Sequence, residues 1–156
     1  MRLALAQINP TIGDIAGNAR MIAARIREAA AAGAEVVVLP ELCLSGYPPK
    51  DLLLQEGFIE ACAAAAKAIG ERETRGITVV FGVPMAAGSE EAKGGRICNS
   101  LVAYCGGKRV ATYDKRLLPT YDVFDEDRYF VPGERPVVVD VPTAGSATGV
   151  RVGLSI

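Results

Sequence analysis

The sequence predicts an α/β fold in which helices pack on a mixed β-sheet. Candidate strands and helices alternate through the first half of the chain, and the second half is rich in strands, an order typical of this class. Two apolar runs, residues 36–39 and 77–83, lack polar alternation, as expected of strands in a sheet covered by helices. With 156 residues, half of them apolar, the chain has enough material for one domain with a hydrophobic core.

The first strand and the first helix are each bounded by helix- or strand-breaking residues. Residues 3–8 are predicted to form a short buried strand that ends at the pair Asn9 and Pro10. A helix follows, with Asp14 or Asn18 as its N-cap and Gly33 just past its end. Its apolar side chains recur every three or four residues, at Met21, Ile22, Ile26, Ala29 and Ala30.

A proline-containing loop separates the second strand from the second helix. Residues 36–39 are the strand, residues 40–50 the loop, and Asp51 is a suitable N-cap for an alanine-rich helix over residues 52–69. Residues 77–83 form the third strand. The small and polar residues 84–95 are predicted to be an exposed loop.

The second half of the chain predicts two strand pairs around a long loop. Residues 96–104 and 108–113 are joined by Gly106 and Gly107, which is a hairpin signal and not the spacing of a phosphate-binding loop. The loop covers residues 114–135. Residues 137–141 and 150–156 are the last two strands, with a turn over residues 142–149.

Composition excludes several classes of function. The net charge is -1 and no basic run is present, so nucleic acid is not an expected partner. The absence of histidine rules out Ser-His-Asp and Cys-His catalysis within these residues, and no metal site is predicted. No run is apolar enough to span a membrane and no signal peptide is visible, so we expect a cytoplasmic protein without a membrane partner.

Four cysteines are present, and their spacing fits neither a zinc site nor a redox motif. They are Cys43, Cys62, Cys98 and Cys105. Their neighbours are apolar or small, so we predict buried or half-buried free thiols and no disulfides.

Two charged residues follow strands at positions where chemistry is expected. Glu41 comes directly after an apolar strand and Pro40, at the carboxyl end where open α/β sheets bind ligands. Lys115 follows the fifth strand and precedes an apolar, proline-containing segment, so it could be partly buried and stabilise an oxyanion. The alternatives are a carboxylate that caps a loop or pairs with an arginine, and a solvated surface lysine.

These residues lie in motifs that resemble the nitrilase, or carbon-nitrogen hydrolase, superfamily. The motifs are LALAQINP at residues 3–10, LPELCLSGY at 39–47 and the loop that begins at Lys115. Three segments are most similar to the N-terminal glutaminase domains of the glutamine-dependent NAD+ synthetases. They are NPTIGDIAGN at residues 9–18, GYPPKDLLL at 46–54 and KRLLPTYDVFDEDR at 115–128.

The resemblance implies roles for four residues of a Glu-Lys-Cys site. Glu41 matches the general base, Lys115 the catalytic lysine, Tyr121 the aromatic residue lining the glutamine pocket, and Glu126 the carboxylate that supports the lysine. The superfamily's cysteine nucleophile follows a strand like GVRVGLSI at residues 149–156, and none of the four cysteines holds that position.

The resemblance also implies an architecture and an activity. Residues 1–156 would be the N-terminal portion of an α-β-β-α sandwich, an incomplete carbon-nitrogen hydrolase domain, with the rest of it and an ATP- and Mg-dependent synthetase domain expected elsewhere. The intact parent, expected to be a homo-oligomer, would hydrolyse L-glutamine and supply ammonia for NAD+ synthesis. No cofactor is expected in residues 1–156, which are predicted to be inactive alone. The alternatives are another superfamily amidase or carbamoylase, and a non-catalytic truncated interaction protein.

Overall fold

A mixed five-stranded sheet lies at the centre of the structure, a computed structural model that describes residues 1–88 and 95–156. Its strands follow one another in chain order. They are β1 (Leu3–Leu5), β2 (Val36–Val38), β3 (Thr78–Ala86), β4 (Ile97–Cys105) and β5 (Lys108–Asp114). The pairs β1–β2 and β2–β3 are parallel, whereas β3–β4 and β4–β5 are antiparallel. The predicted α/β class with a mixed sheet is therefore confirmed.

The two faces of this sheet are covered by different elements. Helices α1 (Ile15–Ala31) and α2 (Phe58–Glu73) pack on one face, against side chains such as Val37 and Phe81. A hairpin of β6 (Val137–Thr143) and β7 (Ser146–Leu154) packs on the other face, where Val36 and Val80 point. Successive residues of β2 and β3 face opposite sides and both sides are covered, which explains their unbroken apolar sequence.

Strand β1 is shorter and more exposed than the sequence suggests. The prediction was a buried strand over residues 3–8, but the strand covers Leu3–Leu5, and the side chains of Leu3 and Leu5 are 49% and 77% exposed. β1 is the edge of the sheet, and only Ala4 of these three residues packs against the helical layer. An apolar run alone does not distinguish an edge strand from a central one.

The ends of α1 resolve the choice between two predicted caps. Asp14 is the N-cap, and its Oδ1 accepts a hydrogen bond from the Gly17 N–H at 2.8 Å. Asn18 lies inside the helix instead, fully buried, and ties residues Thr11 and Leu44 to it. Gly33 has a φ of +74° just beyond the helix, which confirms its predicted place after the C-cap.

The predicted helix over residues 52–69 with Asp51 as its cap is wrong at its start. A short 3₁₀ helix covers Lys50–Leu54, and α2 begins later, after Gly57 in the left-handed region at a φ of +80°. The Asp51 carboxylate accepts a hydrogen bond from the Tyr129 hydroxyl at 2.6 Å. A long-range partner therefore uses the side chain that the sequence assigned to a local cap.

The strand boundaries after residue 77 shift in two places. β3 continues through Pro84 to Ala86 because its pairing with β4 continues, so the predicted loop at residues 84–95 begins too early; residues 89–94 lie outside the described residues. The β4–β5 hairpin is confirmed, with Gly106 and Gly107 both at positive φ. The predicted turn over 142–149 is much shorter, because β7 already begins at Ser146.

Neither helix in the described part of the chain has the length and apolar character that crossing a lipid bilayer requires.

Candidate active site

Glu41 is held where the chain leaves β2 and crosses the edge of β3. The Gly82 N–H donates to the Pro40 carbonyl at 3.1 Å, and the Leu44 N–H donates to the Gly82 carbonyl at 3.3 Å. A β-carbon at Gly82 would lie 2.2 Å from the Leu42 nitrogen, so the glycine permits this close approach. Leu42 has a φ of +47°, a strained value that turns the chain directly after Glu41.

Lys115 is fixed by its backbone one residue beyond β5. Its N–H donates to the Asn99 carbonyl at 2.8 Å, and its own carbonyl accepts from the Gly133 N–H at 2.9 Å. The residue is only 8% exposed, which is unusual for lysine and excludes the surface-lysine alternative. The Lys115 amine therefore lies in the protein interior.

The Lys115 ammonium lies between two carboxylates. Its Nζ donates to Glu41 Oε1 at 2.7 Å and to Glu126 Oε1 at 3.0 Å, and Glu126 Oε2 lies 2.9 Å away. Glu126 begins a short 3₁₀ helix, Glu126–Arg128, and is 6% exposed. The structure thus brings together three of the four residues named from the sequence, and the buried charges have close partners of opposite sign.

The charge state of Lys115 follows from these contacts. Burial lowers its pKa, but the hydrogen bonds and negative charges of Glu41 and Glu126 outweigh burial and raise the pKa above its usual value. Lys115 is therefore an ammonium at neutral pH. It can donate hydrogen bonds to a developing negative charge, and it is unsuited to act as a base.

Asn99 also belongs to this cluster, and the sequence analysis did not find it. Its Nδ2 donates to Glu41 Oε1 at 2.5 Å, and the residue is fully buried. Its Oδ1 is buried without a hydrogen-bond partner among the described residues. The available signal was the polar pair Asn99 and Ser100 inside an otherwise apolar strand, because buried polar side chains require partners.

Tyr121 lies at the surface beside the cluster. It is 69% exposed, and its ring meets that of Phe124 edge to face at a centroid distance of 5.7 Å. Tyr121 and Lys115 line one open depression together with Leu118 and Thr120. The structure therefore places Tyr121 at an exposed position in the same depression as Lys115.

A cavity of about 310 Å³ lies beside Glu126. Tyr47, Leu53, Phe124 and Phe130 contribute to its wall. Burial raises the pKa of Tyr47, and the negative charges of Glu126 and Glu41 raise it further. Its hydroxyl is therefore neutral at neutral pH and can donate a hydrogen bond near the charged cluster.

The four cysteines are free thiols, as predicted, and three are buried. Burial raises the pKa of Cys43 and Cys62 to about 12 and that of Cys98 to about 11, so these thiols resist ionisation. Cys105 lies at the turn end of the β4–β5 hairpin, opposite the end that carries Lys115. None of the three buried thiols therefore has the surroundings of a catalytic thiolate, and Cys105 lies away from the Lys115 end of the hairpin.

Gly106 and Gly107 do not have the geometry of a phosphate-binding loop. Gly106 and Gly107 form the turn of the β4–β5 hairpin, and no helix follows them to receive a phosphate. Within residues 1–88 and 95–156, no three Asp, Glu or Cys side chains are grouped to hold a metal ion.

Comparison with protein families and curated proteins gives a consistent result. A family model described as carbon-nitrogen hydrolase matches residues 2–156. A glutamine-dependent NAD(+) synthetase of Synechocystis sp. is 44% identical over 129 residues, which cover 82% of this chain and 23% of that protein. One of the same name from Xylella fastidiosa is 46% identical over 131 residues, 83% of this chain and 23% of that protein. The chain thus spans about a quarter of these relatives.

Solved structures of two kinds of enzyme have the same fold. A glutamine-dependent NAD+ synthetase from Acinetobacter baumannii, in complex with ADP, has a TM-score of 0.83 at 31% identity, covering 97% of this chain and 26% of that one. An amidase from Nesterenkonia sp. has a TM-score of 0.77 at 28% identity, covering 98% and 54%. A mutant of that amidase shows Michael addition of acrylamide at its active-site cysteine.

Proposed function

Because the chain belongs to the carbon-nitrogen hydrolase family, we propose that residues 1–156 supply the base and the oxyanion donor of a glutaminase. The observation that carries the proposal is the position of the Lys115 ammonium, 2.7 Å from Glu41 and 2.9 Å from Glu126 in a largely buried cluster. In this proposal Glu41 is the general base, Lys115 holds the oxyanion, Glu126 keeps Lys115 charged and in place, and Tyr121 borders the substrate.

The proposed reaction begins with a cysteine thiol that lies near Glu41 and is not one of the four cysteines of residues 1–156. Glu41 takes the thiol proton, and the thiolate attacks the side-chain amide carbon of glutamine. Negative charge develops on the amide oxygen, and Lys115 stabilises it by donating a hydrogen bond. The intermediate collapses as the carbon–nitrogen bond breaks, Glu41 returns its proton to the leaving nitrogen, and ammonia departs from a thioester.

Hydrolysis of the thioester uses the same groups. Glu41 removes a proton from water, whose oxygen attacks the thioester carbon while Lys115 again stabilises the oxyanion. The carbon–sulfur bond breaks, the sulfur regains a proton from Glu41, and glutamate leaves. Lys115 stays charged throughout, in keeping with its raised pKa.

Two components of the proposed reaction, the cysteine nucleophile and the acceptor of ammonia, are proposed for a protein as long as the relatives. The chain matches 23% of the Synechocystis and Xylella proteins, so we propose that it is the first part of such a glutaminase domain. In that protein the thiol comes from residues outside the matched portion, and ammonia is passed to ATP-dependent synthesis of NAD+. We further propose a cytoplasmic homo-oligomer. Residues 1–156 alone are then inactive.

A second candidate is a simple amidase, and the structural similarity to the Nesterenkonia amidase favours keeping it. Both candidates use the same cluster and differ only in the substrate that fits around it. Comparing kcat/KM for L-glutamine and for propionamide distinguishes them. A glutaminase prefers glutamine, because its α-amino and α-carboxylate groups then contribute to binding.

The roles of Glu41 and Lys115 are tested by ammonia release from glutamine in full-length protein. We expect E41Q and K115A each to lower kcat/KM by about 100- to 1,000-fold, because each removes a group needed in the transition state. Purified residues 1–156 are expected to release no ammonia above background.

The matched controls are E28Q and K67A, which change an exposed glutamate of α1 and an exposed lysine of α2. Both should retain activity within about twofold, as exposed substitutions usually do. Activity of K115A equal to that of K67A would remove Lys115 from the mechanism. Circular dichroism of all four variants separates lost chemistry from lost folding.

A further inference from the structure

Asn99, in strand β4, connects Glu41 and Lys115, two of the three charged residues of the cluster. Its backbone carbonyl accepts the Lys115 N–H at 2.8 Å, and its side-chain Nδ2 donates to Glu41 Oε1 at 2.5 Å. It is fully buried, as is its neighbour Ser100, whose hydroxyl donates to Asp114 at 2.6 Å. The side chains of Asn99 and Ser100, which are adjacent in β4, thus hydrogen-bond to different residues, Glu41 and Asp114.

The orientation of the Asn99 amide is set by Glu41. An ionised carboxylate only accepts hydrogen bonds, so the amide must present its NH₂ group to Glu41. The amide oxygen is then left buried without a hydrogen-bond partner in the described part of the chain. A buried oxygen without a hydrogen bond destabilises the folded protein. The amide is therefore oriented by its hydrogen bond to Glu41 and not by a partner for its oxygen.

Two donors converge on one oxygen of Glu41. Asn99 Nδ2 and Lys115 Nζ both reach Oε1, and no donor from residues 1–88 or 95–156 reaches Oε2. An oxygen that already accepts two hydrogen bonds is a poor proton acceptor, whereas its partner oxygen keeps both lone pairs available. The side chain of Glu41 is 31% exposed, so Oε2 can be reached from outside the cluster.

We propose that Asn99 is a positioning residue that holds Glu41 Oε1 against Lys115 and leaves Oε2 as the oxygen that accepts the proton. The inference rests on the proposed roles of Glu41 and Lys115. Without Asn99, Lys115 alone would hold the carboxylate, which could then rotate and present either oxygen. A displacement of about 1 Å in a catalytic group can cost about 100-fold in rate.

Exchanging the two partners tests the hydrogen bond itself. N99D sets a second carboxylate against Glu41 and should lower the urea midpoint of unfolding, because the like charges repel. In N99D/E41Q the glutamine donates to the new aspartate, and the cluster regains the net charge that it has in the wild type, since Glu126 is unchanged. We expect the double variant to recover at least half of the lost midpoint. A double variant no more stable than N99D would overturn the proposal.

The NMR resonances of the Asn99 side-chain NH₂ group report directly on its hydrogen bond to Glu41. The asparagines of the chain are Asn9, Asn18 and Asn99, so the NH₂ resonances of Asn99 are identified by their loss in N99A. E41Q should shift these resonances, since it replaces a charged acceptor by a neutral one. The control S100A, which removes the neighbouring hydrogen bond to Asp114, should leave them in place. Resonances insensitive to E41Q contradict the proposal.

Measurements of glutamine turnover distinguish a failure of this proposal from a failure of the proposed function. In full-length protein, N99A should lower kcat by about 10- to 100-fold with KM for glutamine changed less than threefold, while S100A stays within threefold in both. Unchanged kcat in N99A overturns the positioning role. If wild-type protein hydrolyses no amide, the proposed function fails and the role of Oε2 with it, whereas the exchange of partners still decides whether Asn99 holds Glu41.

Discussion

Lys115 shows how a single residue determines the charge balance of the site. Its ammonium is buried between Glu41 and Glu126, and Glu126 is itself 6% exposed. Sequence motifs selected all three residues, but a motif cannot say whether a lysine is solvated or buried. Because Lys115 and Glu126 are both buried, the charge of each depends on the opposite charge of the other.

Removing the Lys115 charge should leave Glu126 as an uncompensated buried carboxylate. We expect K115M to lower the free energy of unfolding by about 3–5 kcal/mol, which urea denaturation at pH 7 measures. The double variant K115M/E126Q removes the stranded charge and should recover more than about 1 kcal/mol of that loss. The control K67M, at an exposed lysine, should change stability by less than about 0.5 kcal/mol. A double variant less stable than K115M would contradict this account.

At the scale of elements, β3 is the surface on which the Glu41 segment is placed. β3 presents Gly82 to that segment, and two backbone hydrogen bonds join them. The sequence predicts β3 from its apolar residues, but it does not reveal that this glycine faces another stretch of backbone. Local sequence likewise assigned the N-cap of α2 to Asp51, whereas Gly57 is the N-cap and the Asp51 carboxylate accepts a hydrogen bond from Tyr129.

G82A should disturb Glu41 without touching a charged group. The added carbon would lie 2.2 Å from Leu42 N and 2.6 Å from the carbonyl carbon of Glu41, so the backbone must move. We expect a loss of about 1–3 kcal/mol in stability, and of at least about tenfold in glutamine turnover by full-length protein. The control G153A adds the same carbon in β7 where no atom lies within 4 Å, and should leave turnover unchanged. Equal effects of the two substitutions would argue against the packing explanation.

The whole molecule is a sheet with helices on one face and a hairpin on the other, and Glu35 links the two sheets. Its Oε1 accepts the Ala144 N–H at the β6–β7 turn at 2.6 Å, and its Oε2 accepts the Arg2 N–H at 2.7 Å. These backbone hydrogen bonds, led by that of Ala144, lower the pKa of Glu35. Glu35 and Ala144 are 109 positions apart in sequence, so their hydrogen bond exists only in the folded chain.

The lowered pKa gives Glu35 a defined pH dependence. Its folded pKa lies below its unfolded pKa, so its stabilising effect is complete above the unfolded value and is lost as pH falls through the folded one. E35Q should therefore lower the urea midpoint at pH 7, and its difference from wild type should shrink below about pH 4. The exposed control E28Q should not share this convergence. A difference that persists undiminished at pH 2.5 would refute the assignment.

Sequence alone determined the order of strands and helices, the free thiols, and Glu41 and Lys115 as candidates, because apolar periodicity and turn residues act locally. Only the tertiary structure brought these two residues, 74 positions apart, to 2.7 Å. It also revealed Asn99, the late start of α2 and the exposed edge at β1. Each of these depends on which surfaces meet after folding, and the pairing of distant strands sets that, not the residues nearby in sequence.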